Sequence, residues 1–197
     1  MERLILARHG ESVFSAKLLV NGEFGVAGPL TPRGVDEARA LGRAIANDEI
    51  DLCVTSRFER TRQTADIALQ GRDVPRLVVP ELDDPRYGSF EGGALADYRA
   101  WADSVASAVE APGAGESRRA IVTRYARGFR ALLERGETSI LAVIHSLPIA
   151  YMLAARDGES PRPVVRLVEH AHPYRFGAAD AQRAVEVLEA WVAAPTW

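Results

Sequence analysis

Lysine is almost missing from this chain. Lys17 is the only one, so nearly all positive charge is arginine, carried as planar guanidinium forks. Cysteine is equally scarce: Cys53 stands alone inside an apolar run and excludes an internal disulfide, so a reducing cytoplasm is the expected compartment. Strong charge of one sign is also lacking. A formal net charge of -3 offers no basic face of the kind nucleic acid requires, and no nucleic-acid partner is expected. No apolar run is long enough to span a bilayer, and the stretch after Met1 is too short for a signal peptide, so no membrane partner is expected either. Four histidines with no cysteine pair and no close ligand spacing argue against a metal site. Repeats and low-complexity tracts are absent.

What the chain does have is apolar content of 47% over 197 residues, enough for a sizeable core in one domain spanning 1–197. Strand and helix signals alternate for most of its length. Leu4-Ile5-Leu6-Ala7 reads as a buried strand, followed by a glycine-rich loop from Asn21 to Pro29. Thr31-Pro32 is an N-cap with proline in the first turn, and Ala38, Leu41 and Ile45 follow at helical spacing. Ile50 to Val54 is a second strand, after which Ser56 is placed to cap a helix carrying Ile67 and Leu69. Val74 to Val79 is a third strand, and Pro80 to Gly93 a long loop. Helices are expected over Leu95–Val109 and Glu116–Leu133, then a strand at Ile140–Ile144 and a helix at Ile149–Ala155. Further strands are expected at Val164–Val168 and Tyr174–Phe176, with a last helix from Ala179 to Val192. This alternation predicts an α/β fold, a three-layer α/β/α sandwich on a mainly parallel sheet.

In open parallel sheets the ligand crevice lies beyond the carboxyl ends of the strands. Three buried strands here end in polar groups suited to chemistry. The first hands over to Arg8-His9-Gly10-Glu11, the second to Ser56 and a helix with Arg57, Arg60 and Arg62, and the fourth to His145-Ser146. A histidine offers a nucleophilic nitrogen and arginine a fixed anion-binding fork, a pairing suited to attack on a phosphoryl group. Taken singly, the arginines fit a solvated helix face and His145 a satisfied sheet-edge histidine; their joint placement at one edge favours the chemical reading. His170 and His172 read as edge-strand residues.

The motifs as a set resemble the histidine phosphatase superfamily, in its phosphoglycerate mutase-like branch. The resemblance rests on Arg8-His9-Gly10-Glu11-Ser12, on Leu30-Thr31-Pro32-Arg33-Gly34 with Ala38, on Thr55-Ser56-Arg57-Phe58-Glu59-Arg60 with Gln63-Thr64-Ala65, on Gly115-Glu116-Ser117 with Arg124, and on Ile144-His145-Ser146. It implies that His9 is a nucleophile that becomes phosphorylated while Arg8, Arg60 and His145 grip the phosphoryl oxygens, with no metal and no cofactor. Leu82-Asp83-Asp84-Pro85-Arg86-Tyr87-Gly88 resembles the family stretch that supplies a proton donor. Register from Gly88 puts Asp84 where the family has glutamate, one methylene shorter, with Glu81 and Asp83 as alternatives.

Departures from the family pattern bear on substrate. Ser15 stands where asparagine is common, Ser146 where glycine is common, and the tryptophan clip of glycolytic mutases is missing between Phe24 and Leu30. Ser15, Tyr87 and Ser146 are the expected substrate contacts, although core packing also accounts for Tyr87, Tyr98 and Trp101. Arg118-Arg119 could serve some further anion. The expected function is metal-independent hydrolysis of a small phosphomonoester through a phosphohistidine. The alternatives are a cofactor-dependent phosphoglycerate mutase and an idle relative that only binds a phosphorylated ligand.

Overall fold

A computed structural model describes residues 1–197. Five strands form one sheet: β1 (Arg3–Arg8), β2 (Leu52–Thr55), β3 (Arg76–Val78), β4 (Ser139–Ile144) and β5 (Pro173–Gly177), in the order β3-β2-β4-β1-β5. The first four pair in parallel, and β5 runs antiparallel along the edge of β1. Six helices surround the sheet: α1 (Pro32–Ala44), α2 (Glu59–Ala68), α3 (Leu95–Ser104), α4 (Arg118–Leu133), α5 (Ser146–Arg156) and α6 (Ala178–Ala193). None is long and apolar enough to cross a membrane.

Alternate residues of each central strand serve opposite cores, as a period of two demands. Leu4, Leu6, Leu52, Val54, Ile140, Ala142 and Ile144 pack with α4, α5 and α6, through Phe129, Met152, Leu188 and their neighbours. Ile5, Ala7, Cys53, Leu141 and Val143 face the other way, against Leu41 and Ile45 from the α1 side and Ala65 and Leu69 from the α2 side. The result is the three-layer α/β/α sandwich expected from the alternation. A small third cluster of Val20, Tyr87, Tyr98 and Ala111 lies apart from both and supports one wall of the cleft described below.

Side-chain caps account for two of the six helix starts. The Thr31 side chain accepts from the Gly34 amide at 3.1 Å with proline next in line, and Ser117 caps α4 by accepting from the Ala120 amide at 3.2 Å. Gly34 also lets two backbones meet, since a Cβ there would overlap the Glu11 carbonyl oxygen.

Five local expectations need correction. Val164–Val168 forms no strand; it is an irregular strap beyond α5, held by side chains rather than by a ladder. Ser56 does not cap α2, which starts at Glu59 after Phe58; its hydroxyl turns to a histidine instead. The helix expected over Leu95–Val109 stops at Ser104, and the one expected from Glu116 begins at Arg118. Neither His170 nor His172 lies in β5: His170 makes a single bridge to Arg8, and His172 is exposed just before the strand.

Candidate active site

The β1–β4 register sets Arg8 opposite Ile144, so the next residues, His9 and His145, leave the sheet at the same level. The His9 amide continues the ladder by donating to the Ile144 carbonyl at 2.9 Å. Both imidazoles are buried, their ring centres 5.5 Å apart and their planes inclined at 68°. Strand β2 ends one position away, which brings Ser56 Oγ to 2.8 Å from His145 Nε2.

His9 is fixed from three sides. Its Nδ1 lies 2.7 Å from the Gly10 carbonyl and donates to it, which leaves the lone pair on Nε2 facing the cleft. That lone pair accepts from Arg60 Nε at 3.1 Å. Behind it, His170 Nδ1 donates to the His9 carbonyl at 2.7 Å, and the Gly10 amide donates to Thr64 Oγ1 at 2.9 Å. Burial and the guanidinium groups of Arg60 and Arg8 hold the His9 pKa well below its ordinary value near 6.5, so the ring is neutral. His145 is shifted in the same direction, first by burial and then by Arg60.

Arg60, from the first turn of α2, is the hub. Besides His9 it donates to Asn21 Oδ1 at 2.7 Å, to the Asn21 carbonyl at 3.1 Å and to Asp84 Oδ2 at 2.9 Å, and its Nη2 lies 3.4 Å from His145 Nδ1. Phe58 backs the pair: the Arg60 guanidinium sits 4.3 Å from its ring centre and His145 meets the ring edge-on. Of the three arginines on this stretch only Arg60 points inward. Arg57 pairs with Asp83 and stacks on Phe24, and Arg62 is exposed. Arg8 donates to the Val168 carbonyl at 2.9 Å while its Nε has no partner; burial, reinforced by Arg60 and opposed by Asp84, lowers its pKa to about 10.

The three candidate acids separate cleanly. Asp83 accepts from the Arg57 amide at 2.9 Å and from its guanidinium at 2.6 Å, and Glu81 faces Arg127 near the surface. Only Asp84 lines the cleft, with Oδ2 between Arg60 and His145 Nδ1, the latter at 3.4 Å. Burial raises its pKa despite the opposing pull of Arg60 and Arg8. The loop bearing these acids is held by Arg124, which clasps Glu116 through two bonds of 2.9 Å and donates to the carbonyls of Glu81 and Asp83 at 2.8 Å. Glu116 and Arg124 thus set the position of Asp84 without entering the cleft.

The cleft encloses about 800 Å³ of free space, part of it open to solvent. Arg8, His9, Arg60, Asp84, Ser15, Tyr87 and Ser146 all line it, so the predicted residues do converge, apart from His145, which sits directly behind them. Ser15 Oγ is tied to the Ser12 amide at 2.8 Å, and Ser146 Oγ accepts from the Val168 amide at 3.1 Å. Three residues were not singled out from sequence: Asn21, which clamps Arg60, Thr64, which receives the Gly10 amide, and Phe58 beneath both histidine and arginine. Thr64 and Phe58 stood inside a recognised motif; Asn21, in a glycine-rich loop, gave no signal.

The chain is similar to known proteins in sequence and in fold. Residues 4–191 match the model of the histidine phosphatase superfamily (branch 1). An adenosylcobalamin/alpha-ribazole phosphatase of Salmonella typhimurium is 31% identical over 162 residues, 78% of each protein. A 2,3-bisphosphoglycerate-dependent phosphoglycerate mutase of Thermobifida fusca is 38% identical over 105 residues, 51% of this chain and 42% of that protein. Among solved structures, a putative alpha-ribazole-5'-P phosphatase of Escherichia coli superposes with a TM-score of 0.77 at 27% identity, covering 88% of this chain and 89% of that one.

Proposed function

Because the chain belongs to the histidine phosphatase superfamily, we propose that it acts as one phosphatase domain over 1–197, hydrolysing a small phosphomonoester through a phosphohistidine on His9. One observation carries the reading: a buried, neutral imidazole whose Nδ1 proton is spent on Gly10 presents its Nε2 lone pair to a cleft ringed by guanidinium groups. Nε2 attacks phosphorus in line and the bond to the ester oxygen breaks. Arg60 exchanges its contact with Nε2 for the phosphoryl oxygens, joined by Arg8 and His145, and their prepositioned donors stabilise charge spread over the equatorial oxygens. Arg8 and Arg60 supply the positive charge, so no metal is invoked.

Asp84 completes the cycle. Its raised pKa favours the protonated form, which donates to the departing ester oxygen. The resulting carboxylate then takes a proton from water as the water oxygen attacks the phosphohistidine, releasing inorganic phosphate and restoring both side chains. The phosphatase reading is preferred to mutase because the similarity to the phosphatase relatives spans 78% of their length, against 42% for the mutase of Thermobifida fusca.

The test is turnover of a panel of phosphomonoesters in the presence of a chelator, with acid-labile phosphoenzyme trapped by rapid quench. Wild type is expected to turn over and to form phosphohistidine; His9→Ala should do neither. Turnover that survives His9→Ala, or that stops on chelation, would overturn the mechanism.

A further inference from the structure

Four arginines and a single acid line the cleft: Arg8, Arg60, Arg99 and Arg118 against Asp84. The proposed reaction employs Arg8 and Arg60. The other two lie along the wall formed by Leu95, Tyr98 and Tyr87 and take no part in that reaction. Arg118 is only 7% exposed, yet no carboxylate pairs with it. Its Nη2 donates to the Pro163 carbonyl at 3.0 Å, while Nε and Nη1 are buried with no hydrogen-bond partner. The acid nearest in sequence, Glu116, is already taken by Arg124.

Arg118 also opens α4 at its first helical position, where the exposed amides make the end of a helix positive and a cation is disfavoured. Desolvation, missing hydrogen bonds and the helix dipole therefore all count against this residue unless an anion arrives. Its only aromatic support is Tyr98, whose ring centre is 5.4 Å from the guanidinium carbon. Arg99, from α3, reinforces the same region. It is half-buried, has no acidic partner, and donates to the Val165 carbonyl at 2.8 Å. Both arginines hold carbonyls of the Pro163–Val168 strap, so they are fixed in place before any ligand enters.

We propose that Arg118 and Arg99 form a second anion site in the cleft, so that the phosphomonoester acted on carries a further anionic group remote from the reacting phosphate. This rests on the phosphatase reading for its substrate, but the site itself can be tested without turnover. A phosphoryl dianion leaves part of the charge of the four arginines uncompensated even where Asp84 is ionised, and the surplus lies at the α3–α4 wall. Apolar lining of the same cleft, from Leu18, Leu19, Leu95 and Tyr98, suits a carbon skeleton joining the two anions.

The experiment compares phenyl phosphate with its ortho, meta and para carboxylated counterparts and with an alkyl bisphosphate. Binding is measured by calorimetry on His9→Ala, and kcat/KM on the wild type. At least one doubly anionic compound should bind about ten- to a hundredfold more tightly than phenyl phosphate, the range of a charge-assisted hydrogen bond to a buried group. Introducing Arg118→Met should remove that preference, and Arg118→Lys should retain part of it. No preference for any doubly anionic compound on His9→Ala would overturn the second site, whatever the turnover shows. A loss in Arg118→Met that is equal for phenyl phosphate and its carboxylated forms would also overturn it, because that marks a structural role. Doubly anionic preference in binding without turnover of any ester would leave the second site standing and refute the phosphatase reading.

Discussion

Replacing Asp84 by asparagine separates proton donation from every other role this residue could have. Its Oδ2 accepts from Arg60 at 2.9 Å, and an amide oxygen can keep that contact, so the guanidinium hub should stay in place. What disappears is the proton available to the ester oxygen. General acids contribute roughly a hundred- to ten-thousandfold, or about 2.7–5.4 kcal/mol of activation free energy, where the leaving group is a poor one. Alkyl phosphates should therefore lose that much in kcat/KM, whereas activated aryl phosphates, whose phenolate departs unaided, should lose roughly tenfold or less. The assay is kcat/KM across a series of alkyl and substituted phenyl phosphates, plotted against leaving-group pKa. Wild type should give a shallow dependence and the variant a steep one. Burial raises the Asp84 pKa, meaning that the fold disfavours its charge, so the neutral variant should unfold in urea no earlier than wild type. Equal losses for all leaving groups would refute proton donation by Asp84 and return the role to Glu81 or Asp83, although both face away from the cleft.

Other expectations follow from the same geometry. Arg60→Lys preserves charge but cannot reproduce a fork that reaches His9, Asn21 and Asp84 together, so kcat should fall about a hundred- to a thousandfold in steady-state assays with near-native urea unfolding. The buried histidines make stability depend on pH. His9 and His145 have pKa values below that of the unfolded chain, so the unfolded state takes up protons first and their stabilising contribution is lost as pH falls below about 6.5. Each contributes up to about 1.4 kcal/mol per pH unit in that window, with His170 acting in the same sense and Asp84 opposing. Urea midpoints at pH 7.5 and 5.5 should differ accordingly, and His145→Gln should shrink the difference; an unchanged difference counts against a buried neutral His145. Gly34→Ala should destabilise by about 2–3 kcal/mol through overlap with the Glu11 carbonyl, read from the urea midpoint, and an undisturbed midpoint would contradict the close approach of α1 to the loop after β1.

Much of the fold was legible because apolar strands and capped helices announce themselves locally. Leu4–Ala7 and Ile140–Ile144 are buried on both faces and read as unbroken apolar runs, and Thr31-Pro32 marks a helix start by chemistry that needs no tertiary partner. Expectations failed where a residue's fate depended on something distant. Ser56 had the makings of a cap, but its hydroxyl is claimed by His145, 89 residues away. Val164–Val168 is valine-rich like a strand, yet no ladder is available to it, and Arg8, Arg99 and Arg118 pin its neighbourhood by carbonyls.

The sequence by itself determined the kinds of groups at the site and the strands that deliver them, since side-chain chemistry and hydrophobic period are properties of short stretches. Tertiary structure decided which of several equivalent candidates enter the cleft. Among Arg57, Arg60 and Arg62 it took Arg60, and among Glu81, Asp83 and Asp84 it took Asp84. Residues a few positions apart on a helix or loop carry the same charge but point in different directions, and only the packing of α2 and the Arg124-held loop against the sheet sets those directions.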